Sequence, residues 1–96
     1  MIIERYNKLG LKYILSDIAS SKSVQVLLVH PRKVITLSGT TVQELSQRWY
    51  DWQQLGHSIQ VAFSNLSDSE REFLMTGITG DEWNEMFKDY EEDNEK

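Results

Sequence analysis

The chain has no cysteine, one proline, and no apolar run long enough to cross a bilayer. Without cysteine there is no disulfide, no thiolate zinc site and no cysteine nucleophile, and the redox compartment stays open while remaining compatible with a cytosol. The longest uninterrupted aliphatic run, Val26 to Val29, falls far short of the roughly 20 residues a spanning helix needs. Glu4, Arg5, Lys8 and Lys12 interrupt the first apolar residues, so the amino terminus resembles no signal peptide and a cytoplasmic location is expected.

Histidine is almost as scarce. His30 abuts a turn, His57 follows a helix stop, and neither has an argued partner. There is no H-E-x-x-H, no G-x-S-x-G and no glycine-rich phosphate loop. The carboxylates near the carboxyl terminus fall on one exposed helical face, whereas a divalent-ion site needs ligands converging from several elements. The expectation is therefore no catalytic residue, no metal, no cofactor and no enzyme activity.

What is present suffices for one core. Ninety-six residues form one domain without staples, with a stability of roughly 5–14 kcal/mol. The domain is expected over residues 1–90, followed by a disordered acidic tail over 91–96, EEDNEK, which has nothing to bury. The net charge of −5 conceals a split. Residues 1–48 carry seven Lys and Arg against three Asp and Glu, a net of +4; residues 49–96 carry three against twelve, a net of −9. Internal complementarity, head-to-tail self-association, and two patches for different partners all fit such a division.

The strongest local instructions lie between Leu66 and Phe87. Ser67 with Glu70 and Thr79 with Glu82 are capping boxes twelve residues apart, Gly77 stops the first helix, and Ile78 with Trp83 occupies the positions of a hydrophobic staple. Two short helices joined tightly follow. The second runs from Gly80 to about Tyr90, with Trp83, Met86, Phe87 and Tyr90 on one side and Asp81, Glu85, Lys88, Asp89 and Glu92 on the other.

Upstream, Thr41 with Glu44 is a third box, and Val42, Leu45, Trp49 and Trp52 make one apolar stripe that ends before Gly56. Ser58 to Leu66 fits strand alternation and helical spacing alike; a short helix capped by Ser58 is the reading adopted. Val24 to Leu37 reads as a β-hairpin, with Pro31 and Arg32 at the centre of a type I turn in a loop of His30 to Lys33. Residues 2–20 read as a helix interrupted by Gly10, or as a strand at Ile2 to Tyr6 followed by a helix from Leu11 to Ala19. Gln60 and Arg71 are the polar residues expected to be buried, Arg71 beside a carboxylate. The fold class that results is α+β, a hairpin packed on a cluster of short helices. Its core includes Leu45, Trp49, Trp52, Ile59, Phe63, Phe73, Leu74, Trp83 and Phe87.

Part of this stretch resembles a pattern in small uncharacterised proteins of bacterial viruses. Its residues are Trp52, Gly56, Ile59, Gln60, Ala62, Phe63, Leu66, then Glu70 to Leu74, Thr76, Gly77, Ile78, Glu82 and Trp83, about a third of the chain. The resemblance implies a viral origin, hence a host-cell cytoplasm, and carries no activity with it. A proline of that pattern is missing near Ser64, and the amino-terminal half lies outside it.

Two binding surfaces follow from the charges. The favoured one is the acidic face Asp81, Glu85 and Asp89, offered to a protein partner as rigid, patterned negative charge that imitates a phosphate row. A DNA-reading helix-turn-helix is disfavoured, because that outward face would meet a polyanion with acid. The alternative is a nucleic-acid surface built from Lys8, Lys12, Lys22, Arg32 and Lys33, beside Tyr6 and Tyr13. The hairpin edge, unguarded by proline or inward charge, adds the expectation of a homodimer. No membrane partner is expected.

Overall fold

A computed structural model describes residues 1–19 and 21–86. Its order is β1 (Ile2–Tyr6), β2 (Lys12–Asp17), β3 (Ser23–Leu28), β4 (Lys33–Ser38), α1 (Val42–Gln53), α2 (Ile59–Ala62) and α3 (Asp68–Thr76). A fourth helix, α4, occupies 80–86. The strands form one antiparallel sheet in the order β1-β2-β3-β4, and the class is α+β.

The amino-terminal helix is therefore overturned. Only the Ile2 to Tyr6 strand of the second reading survives, and Leu11 to Ala19 supplies β2 in place of a helix. The physical reason lies in the sheet's two faces. Register pairs Ile3 with Leu15, Val26 and Ile35 on the helix-covered side, and Glu4 with Ile14, Leu27 and Val34 on the other. Because apolar residues sit on both faces, doublets such as Ile14-Leu15 and Leu27-Leu28 blur the period of two that marks a half-buried strand.

The turn that reverses β1 onto β2 is built by Asn7. Its Oδ1 accepts from the amides of Leu9 and Leu11, both at 2.9 Å, and Gly10 takes the left-handed conformation at φ 82. Asx turns of this kind are the reason asparagine and glycine mark hairpins.

The hairpin from Val24 to Leu37 is present as β3 and β4, but as the inner half of a four-stranded meander. The His30–Pro31 peptide bond is cis, so a type I turn with trans proline at its second position does not describe the loop.

Helix starts follow their caps closely. Ser67 and Glu70 exchange both bonds of a capping box, and so do Thr79 and Glu82. At α1 only half the box forms. Thr41 Oγ1 accepts from the Glu44 amide at 3.2 Å, while the Glu44 carboxylate accepts from Thr40 and pairs with Lys22. The first turn gains a further bond from the Val42 amide to Asp17 Oδ1 at 2.9 Å, which fastens α1 to the end of β2. Ser58 caps α2 as expected.

The core joins Tyr13, Leu15, Val24, Val26, Leu28 and Leu37 from the sheet to the α1 stripe, Phe63, Phe73 and Leu74. Four edge-to-face ring pairs tie Trp49 and Phe63 to their neighbours: Trp49 with Tyr13, Trp52 and Phe63, and Phe63 with Trp52. Gly77 ends α3 at φ 81, and a Cβ there would stand 2.8 Å from Leu28 Cδ2, so the helix end seats directly on the sheet. Three core expectations change. Trp83 is 38% exposed, Ile59 is only partly buried against the cluster, and Gln60 is exposed. Phe87, Tyr90 and the tail lie outside the described residues.

Candidate functional site

The acidic end of the molecule is where α3 turns into α4. Lys33, at the start of β4, donates to the Gly77 carbonyl and to Glu82 Oε1, both at 2.8 Å. Glu82 also accepts from the Thr79 amide. The Lys33 contact, then the Thr79 bond, hold its carboxyl below the ordinary carboxylate range. On α3, Arg71 donates to the carbonyls of Phe63 and Leu66 and pairs with Asp68, the partly buried arginine pairing with a carboxylate that was expected, though not with its flanking glutamates.

The described cations on this side, Lys33 and Arg71, are thus committed internally. Asp81 and Glu85 are exposed and form no ion pair among the described residues; Asp89 lies outside them. Between α3 and α4 runs a cleft of about 360 Å³ lined by Asp68, Ser69, Glu72, Ile78, Thr79, Gly80 and Trp83. Both staple residues therefore line one depression.

Four of the five basic candidates, Lys8, Lys12, Arg32 and Lys33, sit at the end of the sheet that carries the β1–β2 and β3–β4 turns, and Lys22 sits at the opposite end. All except Arg32 are engaged within the chain. Lys12 pairs with Glu4 at 3.4 Å, Lys22 with Glu44 at 3.7 Å, and Lys33 with Glu82. Lys8 lies 5.7 Å from the Trp52 ring centroid, a cation–π contact, and Arg32 is exposed in its turn. Tyr13, their intended aromatic companion, is buried, its hydroxyl donating to the Phe73 carbonyl at 2.6 Å. Burial pushes that phenol up to about 12, against a smaller lowering from the Asn7 bond.

A second depression went unread in the sequence. An open groove of about 930 Å³ separates β1 from α1, lined by Glu4, Arg5, Tyr6, Gln43, Gln47 and Tyr50 among others. Its signal was present in principle. Gln43, Gln47, Tyr50 and Gln54 fall at helical spacing along one side of α1, but reading them as a wall requires knowing that β1 stands opposite.

No group of three or more potential metal ligands occurs among the described residues, and no described helix is long and apolar enough to cross a membrane. Comparison of the chain with protein-family models, curated proteins and solved structures returned no match.

Proposed function

We propose that this is a non-enzymatic protein-binding accessory or inhibitor protein of viral origin, whose acidic α3–α4 end meets a cationic partner. The observation that supports it is the imbalance among the described residues: Lys33 and Arg71 are held by carbonyls and carboxylates of their own chain, and no described cation pairs with Asp81 or Glu85. A capped helix start holds these charges in a fixed array. The adjoining cleft sets the apolar Ile78 and Trp83 beside Asp68 and Glu72, which suits the stem and head of a partner's lysine or arginine even though Arg71 and Thr76 already engage those two carboxylates.

Reversing Asp81, Glu85 and Asp89 to lysine leaves the core untouched, so the far-UV spectrum and unfolding midpoint stay near wild type. Affinity for the partner captured from host lysate falls about tenfold or more, and its salt dependence disappears. Unchanged affinity in the folded triple variant would return those carboxylates to solvation alone.

Assembly through the hairpin edge is part of the proposal. The Gly39 amide donates to the Lys22 carbonyl, so the odd-numbered residues of β4 bond β3 while Val34, Thr36 and Ser38 turn their amides and carbonyls outward. No charge or proline guards residues 34–38. Two copies meeting antiparallel about Thr36 would pair Val34 with Ser38 twice and use all three outward residues. Sedimentation is expected to return twice the 11.2 kDa chain mass at high micromolar concentration. Thr36→Pro, which removes an outward amide at a site where an edge strand tolerates proline, returns the monomer. A wild-type monomer under those conditions would eliminate the pairing.

A further inference from the structure

At Glu4 and Tyr6 the free edge of β1 lacks the alternation of donors and acceptors that an edge strand normally shows. The Asp17 amide donates to the Met1 carbonyl and the Asn7 amide to the Leu11 carbonyl, so the odd-numbered residues of β1 face β2. Glu4 and Tyr6 therefore direct their backbone groups into the groove beside α1. Both of their carbonyls are already occupied: Glu4's accepts from Arg5 Nη1 at 2.7 Å, and Tyr6's accepts from Trp49 Nε1 at 2.9 Å. Their amides have no acceptor among the described residues. What remains is a row of donors.

Arg5 completes that row. While Nη1 holds the Glu4 carbonyl, Nη2 donates to Ser46 Oγ at 2.7 Å, so the guanidinium spans from β1 to α1. Two neutral acceptors fix it, and it forms no ion pair among the described residues. A guanidinium has five N–H donors, and the two bonds leave three to offer. The nearby Glu4 carboxylate is engaged by Lys12 at 3.4 Å on the other face of the sheet.

We infer that the groove between β1 and α1 binds a carboxylate presented by an extended acidic peptide, with the Arg5 guanidinium as its charge partner and the Glu4 and Tyr6 amides as further donors. Strand addition is a poorer fit over residues 4–6, because both outward carbonyls there already accept a bond from the chain's own side chains. One guanidinium neutralises one negative charge, which matches a carboxylate better than a dianionic phosphate. The wall from Gln43 to Gln54 extends about 16 Å at 1.5 Å per helical residue, room for about five extended residues. Glutamine carboxamides along it both donate and accept, as peptide groups require. This site is independent of the acidic α3–α4 end and uses none of its residues.

The test is an NMR titration of the full ¹⁵N-labelled chain with the blocked peptide Gly-Glu-Glu-Glu-Gly, its Gln-Gln-Gln counterpart, and a version carrying phosphoserine in place of the central glutamate. The glutamate peptide is expected to shift the Glu4 and Tyr6 amides and the Arg5 Nε signal saturably, and the glutamine peptide to leave them in place. Arg5→Gln weakens binding about 10- to 100-fold. Arg5→Lys restores little of it, since a point charge cannot span from strand to helix. Shifts absent from Glu4 and Tyr6, equal binding of the glutamine peptide, full affinity in Arg5→Gln, or preference for the phosphoserine peptide would each overturn the inference. The peptide comparison uses the wild-type chain, so it decides the matter even where Arg5→Gln fails to fold.

Discussion

Asn7→Leu is expected to cost the fold about 3–5 kcal/mol in urea or thermal unfolding, from two or three buried polar groups stranded at about 1–3 kcal/mol each. Asn7 is buried and works in two directions. Its Nδ2 donates to the Leu74 carbonyl at 3.1 Å and the Met75 carbonyl at 2.9 Å, while its Oδ1 holds the Leu9 and Leu11 amides. The two carbonyls belong to the last turn of α3, where no helical amide follows to satisfy them. One side chain thus forms the β1–β2 turn and caps the helix that closes over it. Leucine occupies similar volume and satisfies none of those groups. Against a total of about 5–15 kcal/mol the loss is large, and a measured cost under about 1 kcal/mol would mean that water replaces Asn7 freely.

Trp49→Ala is expected to destabilise by about 3–5 kcal/mol, the usual range for deleting a buried large aromatic side chain. The indole is 2% exposed and lies edge-to-face against Tyr13 and Trp52, both at 5.5 Å, and Phe63 at 6.0 Å. It is also the donor that occupies the Tyr6 carbonyl. Trp49→Phe keeps most of the packing and loses that bond, so its cost should be nearer 1–2 kcal/mol. Chemical denaturation of the pair separates packing from hydrogen bonding; equal costs would show that the Tyr6 bond, not the cavity, dominates.

The two residues differ in how far the sequence announced them. Trp49 belongs to a stripe at steps of three, four and three behind a threonine cap, and a helical period of that regularity has one burial solution. Asn7 sits in a short polar interval between apolar runs, where Tyr6, Leu9 and Tyr13 also satisfy helical spacing. Its turn is not legible, because helical spacing across Gly10 competes with it, and its bond to α3 spans 67 residues and has no local trace.

The site divides in the same way. Asp81 and Glu85 stand out in the sequence because charge on one side of a capped helix is a local pattern. The lack of a pairing cation among the described residues, by contrast, depends on where Lys33 and Arg71 reach. Arg5 reads as one more solvated cation until β1 and α1 are placed side by side.

By itself the sequence determined the helix starts, the stops of α1 and α3, the β3–β4 hairpin and the buried α1 stripe, because each depends on groups within a few residues of one another. The α2 helix ends at Ala62, short of the Leu66 that the helical spacing includes. Only the tertiary structure decided the pairing of β1 with β2, the exposure of Trp83, the internal partners of the basic residues and the donors beside Arg5. Those features depend on which groups meet across the fold, and an unpaired amide or charge is defined by what fails to reach it.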